Sequence, residues 1–505
     1  MTAPTAGEAS STSISLADPE VEELSSRIRG GLRWKFFSEG TILVSRVLVA
    51  IVLAHLLSPH DFGVAGMVLV VANLVATFAD IGVGNALVQR RKIDDGDRST
   101  MFWISMAAGS FFTLAGIGLS FALASFYGEP QVQPLFVVFS FAFVLTSIGA
   151  TQRTLLYRAM DFRRLELRNV AGILAGAVVG VVVAVLGFGP WALIAQSLTL
   201  IIVSTILLWL LVPWRPRFVF VPHVAWQLGS FGLRSLGASI FSMSNQITDK
   251  ILVGRFLGAS ALGVYGLAFN TVLMPLSRIV VPIGQVFYPA ISRLQDDYAG
   301  VGRTWLKMNR VVIAVFAPLM LSILITAPDL VPVVFGEKWK EAIPVLQILA
   351  AGSLVQALQG LNPSVLQAVG RPALALRFSV VTFVVSLGAY VIGLHWGIIG
   401  VATGFAVANG LLAIAYGALT ARIIHVGARA ILKSQAGVAE ASAAMAAAML
   451  IVGHVLLSDV SSHVVRVLVV LVAGVAVYAL ALLWREPALV ADARRFAFGR
   501  SSTTS

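Results

Sequence analysis

The feature that most restricts this chain is a recurrence of apolar blocks roughly twenty residues long, the length an α-helix needs to cross the hydrocarbon core of a bilayer. The last of them, HVVRVLVVLVAGVAVYALALLW at 463–484, carries a single Arg. Inside hydrocarbon every backbone N–H and C=O must be paired within the chain, which leaves helices or a closed barrel. Barrel strands alternate apolar and polar residues over about ten positions, and these blocks do not alternate. Composition agrees: 58% of residues are hydrophobic and 12% charged, about half the charged share of a soluble domain. The sequence predicts an all-α polytopic membrane protein.

Spans are expected near 36–57, 62–84, 101–126, 133–151, 169–187, 190–212, 233–254, 261–288, 308–327, 342–362, 377–395, 396–420, 438–457 and 463–484. The 36 Lys and Arg residues test that division, because cytoplasmic loops collect cations. Sorted by alternate loops, 29 fall on one side and only Arg255, Lys338, Lys340 and Arg466 on the other; Arg46, Lys250 and Arg278 lie within spans. A missed span would scramble that asymmetry. About fourteen transmembrane helices in the cytoplasmic (inner) membrane, with both termini cytoplasmic, are therefore expected. The net charge of +12 is then a record of topology and not a footprint for nucleic acid. The Ser/Thr/Glu-rich start has no apolar core, so residues 1–33 read as a disordered cytoplasmic tail without a signal peptide, and 486–505 as a second tail. There is no cysteine, which removes disulfides and thiolate chemistry, and no spacing of His, Asp and Glu suggests a metal site or another cofactor.

LSPHDFGVAG (57–66) returns as LGASALGVYG (257–266), with Leu, Gly, Val and Gly matching 200 positions later. FYGEP (126–130) returns as VFGEK (334–338), and GFGPWA (187–192) as HWGIIG (395–400). Six spans separate the copies of the first stretch, so both point the same way through the membrane. The expected organisation is an N-terminal lobe of six helices at 34–215, a pseudo-symmetric, parallel C-terminal lobe of six at 216–435, and two added helices at 436–485. Such repeats place a site between their halves. Gly63, Gly66, Gly263 and Gly266 are expected to permit close helix approach at the turns.

A charge at mid-bilayer costs about 2.5–3.5 kcal/mol on insertion scales, so each buried ion needs a partner or a wet cavity. Ser235, Ser239, Ser242, Gln246 and Asp249 share one face of the seventh span, and Glu39 and Arg46 fall on the equivalent face of the first. Two such stripes predict a central water-filled cleft. Arg46, Arg278, Lys250, Gln246, Gln285, Gln356 and Gln359 are the candidates for binding substrate there; Asp249, Glu39 and Asp80 are the candidates for ion coupling. Each has a structural alternative: an internal ion pair of Arg46 with Glu39 or Asp80, structural pairing of Asp249, snorkelling of Glu39 and Asp80 at the boundary, and interhelical hydrogen bonding by Gln356 and Gln359. Lys250 follows Asp249 directly, so their side chains diverge by about 100°. No residue is a catalytic candidate.

LAHLLSPHDFGVAGMVLVVANLVATFADIGVGNALVQR (53–90), TDKILVGRFLGASALGVYGLAFN (248–270), VFGEKWKEAIPVLQILA (334–350) and GRPALALR (370–377) resemble Wzx-type oligosaccharide flippases, as do LLYRAMDFRRLELRN (155–169) and GFGPWALIAQ (187–196). The resemblance covers roughly 34–435. It is closest to lipopolysaccharide or colanic-acid exporters, within the multidrug/oligosaccharidyl-lipid/polysaccharide exporter superfamily. It implies that undecaprenyl-diphosphate-linked repeat units are moved to the outer leaflet by alternating access, with a polysaccharide polymerase and glycosyltransferases as partners and no nucleic acid. The family usually has Arg where His55 stands, while the second copy keeps Arg255, which puts a role for Arg at the first position in doubt and offers His55 as a titratable substitute.

A cation-coupled drug antiporter of the same superfamily is the alternative. It calls for an acidic, aromatic-lined cavity, whereas mid-span arginines suit a diphosphate, which needs cationic partners in a low-dielectric cleft. A polytopic transferase or polymerase needs acid–base or metal groups on a sizeable outward loop. The longest such loop here, DLVPVVFGEKWKEA, offers only turn chemistry, so an enzyme is not expected.

Overall fold

The computed structural model describes residues 40–79, 84, 87–88, 90, 93–294, 297–357, 360–458 and 460–491, with backbone only at 77–79, 231–245 and 274–290. Among these residues there is no strand, and the apolar blocks all become helices. The first half holds α1 (Gly40–Leu56), α2 (Pro59–Ala79), α3 (Asp95–Tyr127), α4 (Val132–Ile148), α5 (Ala150–Arg158), α6 (Phe162–Val185) and α7 (Trp191–Leu211). The helical run Pro222–Arg293 breaks at Gly258 into α8 (222–257) and α9 (259–293). There follow α10 (Tyr298–Val334), a short 3-10 turn (Glu337–Trp339), α11 (Ala342–Gln356), α12 (Asn362–Ala368), α13 (Pro372–Gly393), α14 (Gly397–Ile423), α15 (Ala428–Ile451) and α16 (His463–Arg485).

Each expected span overlaps a helix or a contiguous pair. Nine helices among the described residues are long and apolar enough to cross a membrane, or ten if α4 and α5, bent by 41°, form one span; α1 and α11 are shorter apolar helices. The chain is a multi-pass membrane protein.

The two copies of the repeated stretch make the same turn by different chemistry. In the first, the Ser58 N–H and Oγ–H donate to Asp61 Oδ2 at 2.9 and 2.6 Å, and the Asp61 N–H donates back to Ser58 Oγ at 3.1 Å. This reciprocal cap leaves Pro59 to open α2, where its missing N–H costs nothing. In the second, Gly258 stands in the place of Ser58 and turns the chain with φ 89°, a backbone available mainly to glycine.

Backbone conformation supports the repeat at matched glycines, with positive φ at Gly128 and Gly336 (67° and 95°) and at Gly189 and Gly397 (53° and 66°), and extends it past the matching letters at Met160 and Gly370 (53° and 74°). The α4–α5 corner of the first half thus corresponds to the α11–α12 corner of the second.

The chain divides into two compact units. One comprises residues 1–53, 71–125 and 130–243, the other 54–70, 126–129 and 244–505. The first is centred on Phe102, Leu155, Leu156, Leu165, Leu208, Val212 and Trp214, and α6 lies on α7 through Gly172, Gly176 and Gly180, where a Cβ would press on Gln196 or Ser204. In the second, α15 and α16 share a core of Met445, Met449, Val470 and Tyr478. The Tyr478 hydroxyl donates to the Ala314 carbonyl at 2.6 Å, and Arg310 pairs with Glu486 at 3.2 Å, tying this helix pair to α10.

Candidate functional site

Within the second unit the two turn copies pack on each other. A Cβ on Gly63 would overlap the carbonyl oxygen of Ala259, and one on Gly263 would overlap that of Pro59. Allowing for the offset of 200, this is one contact made twice, the signature of a pseudo-two-fold relation. Close approach is therefore the reason for Gly63 and Gly263. The same expectation fails for the other two glycines: a Cβ on Gly266 would meet open space, and one on Gly66 would make ordinary contact with Leu262 at 3.6 Å.

The repeated connectors then dock crosswise. Lys338 Nζ donates to the His55 carbonyl at 2.8 Å, Trp339 Nε1 donates to the Ala54 carbonyl at 2.9 Å, and the Trp339 ring meets Phe62 edge-on at 5.1 Å. In the mirror position, Tyr127 packs against Gly254, and the Arg255 guanidinium sits 5.5 Å from the Phe126 ring centroid. Glu129 pairs with His60 at 3.2 Å, and Glu337 with Lys340. Three of the four cations that the charge count places on this side are thus engaged in these contacts. Burial pushes the Lys338 ammonium below its ordinary pKa, opposed by the charge of Asp61.

The second cluster in this unit surrounds Asp249 on α8. The residue is 2% exposed; its Oδ2 accepts from the Tyr265 hydroxyl at 2.8 Å, and its Oδ1 has no hydrogen-bond partner in the protein. A buried acceptor left unpaired costs about 1–3 kcal/mol, more for a charged group. Lys250 turns the other way, its Nζ 4.2 Å from the Phe269 ring centroid, a cation–π contact that steadies the ammonium. Tyr265, Phe269, Phe405 and Tyr390 form a chain of rings with centroid spacings of 5.7, 5.5 and 6.3 Å. A buried acid held by one tyrosine hydroxyl and walled by aromatic rings is equipped to take up and release a small cation or a proton.

Among the other candidates, Arg46 is exposed on α1 and Gln246 is exposed on α8, whereas Asp249, less than a turn later, is buried. Gln356 is half-buried and its Oε1 lacks a partner. Arg278 and Gln285 on α9, like Ser235, Ser239 and Ser242 on α8, lie where only the backbone is described; Glu39, Asp80 and Gln359 lie outside the described residues. Of the ten candidates, Asp249 and Lys250 are given defined side-chain partners, Tyr265 and Phe269, on diverging sides of α8. Tyr265 and Tyr390 were not anticipated, because a tyrosine in an apolar span carries no sign of its partner.

A family model described as polysaccharide biosynthesis protein matches residues 52–344. The lipopolysaccharide biosynthesis protein WzxC of Escherichia coli K12 is 28% identical over 382 residues, covering 74% of this chain and 77% of that protein. The succinoglycan biosynthesis transport protein ExoT of Rhizobium meliloti is 27% identical over 361 residues, 71% of this chain and 73% of that one. Among solved structures, the lipid II flippase MurJ in an inward closed conformation shares the fold, with a TM-score of 0.69 at 12% identity over 91% of this chain and 99% of that chain.

Proposed function

The chain belongs to the polysaccharide biosynthesis protein family, and from that premise we propose that it is a flippase. It carries undecaprenyl-diphosphate-linked oligosaccharide repeat units across the cytoplasmic membrane by alternating access, in the service of cell-surface polysaccharide synthesis. The observation that carries this reading is a doubled set of membrane helices with a guanidinium inside an apolar segment of each half, Arg46 in α1 and Arg278 in α9. The planar fork of an arginine offers a diphosphate two hydrogen bonds at once. The names of the relatives and the fold shared with a lipid II flippase support a lipid-linked sugar as cargo.

In this reading Arg46, Arg278, Lys250, Gln246, Gln285, Gln356 and Gln359 line the cleft that receives the substrate. Asp249, with Glu39 and Asp80, couples its movement to a cation gradient. Both termini face the cytoplasm, glycosyltransferases deliver the substrate and a polymerase consumes it, and no step of covalent chemistry belongs to this chain. The drug-antiporter reading is the weaker one, because the relatives named above are polysaccharide proteins. Cells lacking the protein should still assemble complete lipid-linked repeat units and retain them in the cytoplasmic leaflet, inaccessible to a glycan-modifying enzyme applied from outside. Truncated oligosaccharides with an intermediate sugar missing would instead make the protein part of assembly and overturn the proposal.

A further inference from the structure

The outward residues of α13, Val380, Val381, Val384 and Val385, are apolar and exposed. The stripe it buries is Ala375, Thr382, Ser386, Tyr390 and Gly393, and three of those five carry hydroxyls. On α14, Asn409, Tyr416 and Thr420 are buried as well. The two helices run antiparallel in a register set by ring pairs: Tyr390 stacks on Phe405 at 6.3 Å and Phe378 on Tyr416 at 3.9 Å. The polar groups consequently form one row between the helices. It starts at Tyr390, flanked by Ser386 and Asn409, passes Thr382 and Tyr416, and ends at Thr420 in the last turn of α14, beside Arg422. At its inner end the row meets Asp249, which lies within electrostatic reach of Tyr390 and presents the unpartnered Oδ1.

A hydroxyl in a membrane helix can close on the carbonyl one turn back, and others in this chain do so. Ser379 donates to the Ala375 carbonyl at 3.0 Å, Thr403 to that of Ile399 at 2.8 Å, and Thr326 to that of Ser322 at 2.6 Å. Thr382 Oγ1, Tyr416 OH and Thr420 Oγ1 are buried and make no hydrogen bond to the protein. Buried polar groups that the chain leaves unpaired call for water or an ion, and a file of water needs a succession of such partners. These three lie on two facing stripes that lead to a fourth, the carboxylate.

We infer that this row is a hydrated seam inside the second unit, through which protons pass between bulk water at the Arg371/Arg422 end of α13 and α14 and the carboxylate of Asp249. Resting on the reading of Asp249 as a coupling acid, the seam adds the route: the proton reaches the acid through the body of one unit, along water and hydroxyls. The groups facing that acid are Tyr265 from α9, Tyr390 from α13 and its neighbour Lys250, whose ammonium is held over Phe269.

The full chain has no native cysteine, so single cysteines report without background. Thr382→Cys and Thr420→Cys, close to isosteric, are compared with Val384→Cys on the outward face of α13 and with Lys340→Cys as the marker of the connector face. The probe is a small cationic methanethiosulfonate, which reacts with a thiolate in water. Both seam cysteines should be modified at least ~10-fold faster than Val384→Cys, since thiolate formation needs a polar surrounding, and from the membrane face opposite to the one that labels Lys340→Cys. Rates equal to Val384→Cys, or modification from the Lys340 face alone, overturn the seam; should one variant fail to fold, the other decides. Asp249→Asn should abolish the dependence of export on a proton gradient while leaving labelling at Thr382→Cys and Thr420→Cys unchanged. Proton-dependent export that survives Asp249→Asn, with the seam cysteines still reactive, overturns the coupling role of Asp249 and not the seam.

Discussion

Replacing Gly63 by Ala places a methyl on the carbonyl oxygen of Ala259. The obstacle is backbone, which cannot swing aside as a flexible side chain would, so the starts of α2 and α9 must move apart. Overpacking of this kind costs about 1–3 kcal/mol, and a backbone collision belongs at the upper end. Alanine returns up to ~1 kcal/mol as the better helix former, leaving a net loss of about 2 kcal/mol. Gly266 provides the internal control. It matches Gly63 in residue type and helical setting but faces open space, so Gly266→Ala should stabilise by about 0.5–1 kcal/mol. Because Gly63 and Gly263 hold the same interface, the double alanine variant should cost less than the sum of the singles, by about 1 kcal/mol of coupling. The assay is unfolding of the purified protein in detergent micelles, followed by tryptophan fluorescence. Equal stability of Gly63→Ala and Gly266→Ala, or strict additivity of the Gly63 and Gly263 pair, would refute the interlocked turns.

Arg46→Ala should abolish export at normal membrane abundance, and Arg46→Lys should restore it in part; normal export by Glu39→Gln/Arg46→Gln would dismiss phosphate binding by Arg46. Tyr265→Phe leaves the Asp249 carboxylate without its hydroxyl donor and should cost about 1–3 kcal/mol, a loss that Asp249→Leu in the same chain should largely remove; wild-type stability of Tyr265→Phe would show that the hydrogen bond at 2.8 Å carries no weight. For orientation, Ser58→Cys and Lys340→Cys should react with an impermeant thiol reagent in intact cells, whereas Arg303→Cys and Arg429→Cys, also exposed, should react only after permeabilisation. The opposite pattern would invert the topology drawn from the charge count.

The helices and their order were legible because a bilayer-length apolar block needs no partner to be recognised. The repeat was legible where residue types matched. It was hidden at Met160 and Gly370, which share a left-handed backbone but not a side chain. Asp249 stood out as an acid in an apolar span, yet its partner Tyr265 and the ring of Tyr390 did not, since aromatic residues in such a span look like ordinary packing. Thr382 and Thr420 carried no signal at all; only the register of α13 on α14 aligns them. Equally, four glycines in two identical spacings gave no hint that Gly63 and Gly263 touch backbone while Gly266 touches nothing.

The crosswise docking of the connectors also sets a timetable for synthesis. The turn that ends α1 offers the Ala54 carbonyl to Trp339, 285 residues later in the chain, and the His55 carbonyl to Lys338. At the usual pace of translation, 5–20 residues per second, about 15–60 s pass before the partner has been made. During that interval the two carbonyls at the end of α1 wait unclaimed for their donors. Substitutions at Lys338 or Trp339 should therefore reduce the amount of mature protein in growing cells more than they weaken the protein once it is made, and the deficit should shrink when translation is slowed.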